Sequence, residues 1–454
     1  MTTLLVRSGT ALLSPDERLD GAWLLARDGA IETVGSGPAP QADDVLDARN
    51  CVMTAGLVNT HDHMYQWATR GYAYDSGLFD WLKLLYPVWA EIDAEVVRAA
   101  ARAAMGRLLL AGCTLTSDHH YIFPAGRPGI FEALVESAAG LGIRFHPSRG
   151  SMSLGESKGG LPPDSLVEDE ETILAETERL VTRYHDPRPG SMLRVAVAPC
   201  SPFSVTPRLM EESALLARRL GVHLHTHLAE TLDEEQFCVE KFGRRPLELL
   251  ESWGWLGNDV WLAHGVHFSA GEVRELGGSR TGIAHCPSSN MRLGAGACRV
   301  RDLRGAGARV GLGVDGAASS EDYDLLRQPH QALLLARVSA AIGGSSAAAG
   351  AMDPAEAWEL ATLGGASVLG RDDVGSLRVG MRADVALYRL DDLGRAGIED
   401  PLVALVLAPP PRAEAVVVEG RVVVRGGRLV HADEEGLARE VAAASTRMRA
   451  ALHA

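Results

Sequence analysis

Two histidines flank an aspartate in "GLVNTHDHMYQ", Gly56 to Gln66. On a strand, residues two apart share a face, so His61 and His63 turn the same way and Asp62 the other. Two imidazoles placed so could converge on one metal ion. Alone, an H-x-H is more commonly two surface histidines. The rest of the chain shifts that balance, because other apolar runs also end in groups of the same kind: His227 in "HLHTHLAE", His264 in "VWLAHG" and Asp315 in "GLGVDG". Three imidazoles and a carboxylate suit a zinc-type site with a position open for water. A metal held there would bring the pKa of its water to about 7. Glu230, three residues after His227, is placed to take a proton from water and pass it to a leaving amine. In the acidic run "ETLDEE" it would also serve as a solvated helix cap, and its nearness to a candidate ligand favours the chemical role.

Groups scattered over 250 residues need a scaffold that gathers them. Between residues 57 and about 370, short apolar strands alternate with amphipathic helices. The strands end at "GLVNTHDH", "CTLTSDHH", "IRFHPSRG", "LRVAVAPCS", "VHLHTHLAE", "VWLAHG", "TGIAHCP" and "RVGLGVDG". The helices between them carry readable ends. "DAEVVRAAARAAMGRLLLAG" closes at Gly112, and "TPRLMEESALLARRLG" opens at Thr206–Pro207 and closes at Gly221. About eight strands alternating with about eight helices predict an α/β fold, a (β/α)8 barrel, whose chemistry sits at the C-terminal strand ends. Residues 1–56 and 371–454 read as short strands with Gly and Asp turns. They are expected to pair into a small β-sandwich, with 57–370 as the catalytic barrel.

Composition narrows the function classes. With 44 basic and 59 acidic side chains the formal charge is −15, and nothing points to nucleic acid or an anionic membrane. No apolar run reaches spanning length, and the N-terminus lacks a signal pattern. Six cysteines without a C-x-x-C pair read as reduced thiols. A cytoplasmic homo-oligomer acting on a small molecule is expected. A zinc deaminase of the nucleic-acid-editing type would need a P-C-x-x-C motif, and "PCSPF" lacks the second cysteine.

In order along the chain, "GLVNTHDHMYQ", "THLAET", "WLAHG", "AHCPSSNMRLG" and "GLGVDG" resemble the amidohydrolase superfamily, in its branch of aminohydrolases acting on purines, pterins and triazines. "DHHYIFP", "RGSMSLGESKGGLPP" and "APCSPFSVTP" are similar to the 8-oxoguanine deaminase group within it. The resemblance spans the full length. It implies one divalent metal, usually zinc, on His61, His63, His227 and Asp315. It also implies Glu230 as proton shuttle, His264 orienting the hydroxide and polarising the attacked centre, and Asp315 accepting a proton from the water. The implied reaction is hydrolytic removal of an exocyclic amine from a flat N-heterocycle, 8-oxoguanine to urate and ammonia. A pterin, a guanine-like purine or a hydroxylated s-triazine is the alternative, and a non-catalytic barrel the alternative class. Gln66 resembles the position that hydrogen-bonds a purine edge; a polar residue on the first turn of a loop is an equal reading.

Other residues are weighed individually. Arg149, ending the third strand, could grip a ring carbonyl or be tied up in an ion pair; the pocket role is expected. Trp81 and Tyr86 could stack on a ring, though packing under the first loop explains them as well. His223 and His225 share a face with His227 but lie deeper, where hydrogen-bonded core roles are expected. His119 and His120 could line the pocket or bond structurally, and His285 could act beside the metal or on substrate. Ser320 and Glu321 stand where relatives carry Asn and Asp, and the first loop also departs from the family pattern. Both face the substrate side.

Overall fold

The structure, a computed structural model, describes residues 2–452. All eight expected barrel strands form: β1 (Leu57–Asn59), β2 (Cys113–His120), β3 (Arg144–Ser151), β4 (Ala196–Pro199), β5 (Leu224–Leu228), β6 (Val260–His264), β7 (Gly282–His285) and β8 (Arg309–Leu312). Every residue in them is buried. That is why they read as apolar runs: a parallel sheet covered on both faces has no solvated side to alternate with. Neighbours pair in parallel register, for example Leu224 to Val260 through Leu228 to His264. The first and last strands meet through the Thr60 N–H on the Leu312 carbonyl, 2.9 Å, and the Asp315 N–H on the His61 carbonyl, 3.1 Å. The fold is therefore a nearly closed eight-stranded barrel.

The terminal segments combine in one nine-stranded sheet. Thr3–Ser14 runs parallel to Asp44–Ala55, and Val385–Arg389 pairs antiparallel with Asp44–Ala55, with Met53 opposite Leu387. A separate core of residues such as Val6, Leu24, Met53, Val385 and Val417 fills it. Its seam with the barrel is polar and buried. Arg144, at the start of β3, donates to both oxygens of Asp384 at 3.0 and 2.9 Å, to Glu419 at 2.6 Å, and to the carbonyls of Gly190 and Ser191. Removing one partner from such a network leaves buried charge uncompensated. Arg144→Met is expected to lower unfolding stability by about 3–5 kcal/mol, read from denaturant melts; a change under about 1 kcal/mol would show that water reaches the seam.

The last helix, Glu434–Leu452, lies beyond the strands expected of the C-terminal segment. It packs on the helix Ala94–Leu110 and is pinned by Arg102–Glu440 and Arg447–Asp93 ion pairs, both 2.6 Å. Between the terminal sheet and the barrel, Gly112 takes φ +90° where a Cβ would lie 1.9 Å from the Tyr388 hydroxyl, so the sheet approaches the barrel there only over glycine. Among the described residues no helix is long and apolar enough to cross a membrane.

Candidate active site

The C-terminal strand ends converge as expected. His61 and His63 follow β1, His227 sits in β5, His264 closes β6, Asp315 follows β8, and Glu230 lies just past β5. All six are buried. His61, His63 and Asp315 each offer a ligand atom within 4.8 Å of the others, and so do His61, His227 and His264.

The hydrogen bonds decide which ring nitrogens are free. A carbonyl can only accept, so a ring nitrogen bonded to one must carry the hydrogen. His63 Nδ1 lies 2.6 Å from the His119 carbonyl, and His227 Nδ1 2.7 Å from that of Cys200. His225 Nδ1 bonds the Trp261 carbonyl at 2.9 Å, which leaves its Nε2 to accept from His61 Nδ1 at 2.8 Å. All three Nε2 atoms of His61, His63 and His227 are thus lone pairs. His63 Nε2 and His227 Nε2 stand 3.0 Å apart with no hydrogen between them. His61 Nε2 is buried without a hydrogen-bond partner. Asp315 Oδ1 faces both His61 and His63 Nε2 at 3.4 Å. Converging lone pairs and an anion repel one another unless a cation lies among them, so the donor set fits a divalent metal. Burial lowers the pKa of all three histidines, that of His63 to about 3, which keeps them neutral near pH 7. Burial works to raise Asp315, yet it lies well below the usual carboxylate range, and His264, itself raised, is the cationic group facing it.

Beside this cluster sits a second pair. His264 Nε2 is 3.5 Å from Glu230 Oε2 and 4.0 Å from Asp315 Oδ2. Its Nδ1 is held by Asn290 Oδ1 at 2.9 Å. The other Asp315 oxygen, Oδ2, accepts from Ser289 at 2.6 Å and Ser319 at 3.2 Å. Burial pushes the Glu230 carboxyl up to about 7; His264 opposes this, and the negative charges of Asp315 and Glu234 add to it. Burial works to lower His264, but Glu230 and Asp315 raise it overall. Three residues here adopt left-handed backbone without being glycine: Ala229 (φ +53°), His264 (φ +72°) and Asp315 (φ +60°). Each costs about 1–2 kcal/mol, strain that clusters at functional sites.

The cavity over these groups is lined by His63, His227, Glu230, His264 and Asp315 on its polar side. Leu78, Trp81, Leu82 and Tyr86 of the helix Leu78–Trp89 supply an apolar wall, with Tyr121, Cys200, Phe203 and Leu293. Gln66 lines it too, its Oε1 buried without a partner. Trp81 and Tyr86 therefore border the pocket as well as packing under the loop. Arg149 does not. Its guanidinium makes a bidentate pair with Glu168, 2.9 and 2.6 Å, donates to the Gly150 carbonyl, and lies 4.1 Å over the Phe123 ring. The expectation that it reaches a ring carbonyl gives way to the ion-pair reading, because Glu168 precedes the next helix and meets β3 only in the fold.

His119 and His120 are structural in their contacts. His119 Nε2 bonds the Ala198 carbonyl, with its ring stacked 4.6 Å from His227, and His120 Nε2 bonds the Ile122 carbonyl. His285 is buried and lines no part of the cavity. Asp62 turns away from the metal cluster as its spacing required and accepts from the Tyr323 hydroxyl at 2.5 Å and Asn59 at 2.9 Å. Sequence reasoning missed Ser289, Asn290 and Ser319, although the first two stand inside a quoted motif. The two divergent loops meet. Arg292 pairs with Glu321 at 3.0 Å and also reaches the Tyr72 and Ala73 carbonyls at 3.4 Å.

A profile of the Amidohydrolase family matches residues 52–423. The chain belongs to this family. It is 46% identical to an 8-oxoguanine deaminase from Pseudomonas aeruginosa, over 100% of this chain and 99% of that one. A hydroxydechloroatrazine ethylaminohydrolase from a Pseudomonas species is 38% identical, covering 97% and 94%. An isoxanthopterin deaminase from an unknown prokaryote is 36% identical, covering 88% and 86%. Among solved structures, the zinc complex of an atrazine chlorohydrolase from Arthrobacter aurescens superposes with a TM-score of 0.92 at 33% identity, covering 97% of this chain and 100% of that one. Amidohydrolase membership and this donor set together support a divalent metal, with zinc the ion seen in that relative.

Proposed function

We propose that the chain is a metal-dependent aminohydrolase that converts 8-oxoguanine to urate and ammonia. The observation that carries the reaction is the facing set of His61, His63 and His227 lone pairs and the Asp315 carboxylate, beside a buried Glu230–His264 pair. In this reading His61, His63, His227 and Asp315 hold one ion. When bound, such an ion makes hydroxide available from water near neutral pH.

The chain's own residues do the rest. Glu230, with a pKa near 7, is populated in both forms and moves protons in either direction. It takes one from the attacking water as the new C–O bond forms at the ring carbon bearing the amine. It then delivers a proton to that amine, the C–N bond breaks and ammonia leaves. His264, held through Nδ1 by Asn290, keeps its Nε2 toward Glu230 and Asp315 and opposes charge on the attacked centre. Asp315, its Oδ2 oriented by Ser289 and Ser319, accepts the second proton of the water as the carbonyl forms, and that proton ends on the ring nitrogen that gave up its C=N bond. Gln66 offers a free acceptor to a ring N–H, and the apolar wall with Trp81 and Tyr86 covers a flat ring and excludes bulk water.

The choice of ring rests on the full-length similarity to an 8-oxoguanine deaminase, greater than that to the pterin and triazine enzymes. A second reading keeps the chemistry and changes the ring to a pterin or hydroxylated s-triazine, favoured by the structural likeness to triazine hydrolases and by Ser320 and Glu321. Residues 57–370 would be the catalytic unit and the terminal segments its support. Six buried, unpaired cysteines support a reducing, cytoplasmic setting. Ammonia release by zinc-loaded protein, compared across 8-oxoguanine, isoxanthopterin, guanine, hydroxylated s-triazines, adenosine and cytosine, tests this. Turnover is expected with the oxo-purine or a close pterin. Adenosine and cytosine should be rejected by as much as ~10⁴–10⁵-fold. Efficient turnover of an s-triazine with none of any oxo-purine or pterin would overturn the substrate and leave the mechanism.

A further inference from the structure

Glu234 is a buried carboxylate that makes no salt bridge among the described residues. Its Oε1 accepts the N–H of Ala229 at 2.9 Å and its Oε2 the N–H of Glu230 at 2.8 Å. Arg245, the cation near its helix, pairs instead with Glu235 and Glu272. We propose that Glu234 is the positioning residue for Glu230, a role that rests on Glu230 being the proton shuttle of the reaction above.

The turn between β5 and the helix Leu232–Phe242 is what Glu234 clamps. Ala229 sits in left-handed backbone, a conformation that persists only where surroundings over-determine it. Two sets of bonds do so. The Ala229 carbonyl accepts from Val266 and His267 at 2.8 and 2.9 Å, tying the turn to the loop after His264. Glu234 grips the other side of the same peptide units. A helix-capping glutamate would reach back to the N-cap N–H, here that of Thr231. Glu234 passes Thr231 and bonds the two residues before it, while Thr231 caps the helix through the Glu234 N–H at 3.4 Å. Its carboxylate thus fixes the backbone that carries Glu230, not the helix end. Glutamine has one acceptor oxygen for two N–H groups, and aspartate is a methylene short of reaching both.

The test uses Glu234→Gln and Glu234→Asp as zinc-loaded, full-length proteins, with Glu230→Gln as reference, assayed by ammonia release on whichever ring wild type turns over. Both variants are expected to keep wild-type metal content and cooperative melting and to hold KM within about threefold. Their kcat should fall by roughly 10²-fold, the scale of a catalytic group displaced by about 1 Å. Because Glu234 acts through Glu230, Glu234→Gln placed on the Glu230→Gln background should cost less than about threefold more, a coupling that a general structural role would not produce. Unchanged kcat, an equal loss on both backgrounds, or loss of metal or cooperative folding in both variants would each overturn the proposal. Failure of the underlying reaction is distinguishable: Glu230→Gln would then match wild type, and the role of Glu234 would fall with it.

Discussion

Glu230→Gln is expected to keep fold and metal while cutting kcat by roughly 10²–10⁴-fold for each proton transfer it serves. Glutamine has the same shape, stays buried and can still bond toward His264, so packing and the metal cluster are undisturbed. It cannot accept a proton from water or hand one to a departing amine. The wild-type carboxyl is suited to both tasks because burial brings it to about 7, near the working pH. Metal analysis, a melting curve and ammonia release on the same preparation separate the cases. Near-native kcat would mean that Glu230 only caps the turn, and the proton route would have to be redrawn.

His227→Ala is expected to remove metal and activity together. His227 Nε2 faces His63 Nε2 at 3.0 Å, and both rings are locked in the tautomer that presents a lone pair. A cation between them turns repulsion into binding. Metal that binds only the folded protein stabilises it, by about 2.7 kcal/mol at a hundredfold excess over Kd. Wild type should therefore melt lower, and lose turnover, after chelation. His227→Ala should already lack turnover and show no further shift with chelator. Purified wild type without stoichiometric transition metal, fully active in chelator, would sink the metal assignment.

What could be read from the chain follows the physics of its parts. The eight barrel strands were legible because burial on both faces makes them continuous apolar runs, each closed by polar groups. The positions of His61, His63, His227, His264 and Asp315 follow from where those runs stop. Which ring nitrogen is free was not legible: it depends on carbonyls of His119, Cys200 and Trp261, contributed by neighbouring strands. Arg149 was misjudged for a related reason, since Glu168 meets it only in the fold. The final helix was available and overlooked. Leu437, Val441, Ala444 and Met448 recur at helical spacing and are all buried. Glu234 stands in an acidic run that reads as solvent-exposed, and its burial comes from the turn it clamps.

The Arg292–Glu321 contact bears on how this pocket can change its ring. One guanidinium joins the loop after β8 to backbone carbonyls of the loop after β1. These are the two segments whose sequences read as departing from the family pattern. Neither can be exchanged alone without stranding a half-buried charge or freeing the other loop's backbone. In this scaffold the two rims are mechanically one unit. A transplant that aims to redirect the enzyme to another heterocycle must carry both loops, together with the arginine that staples them.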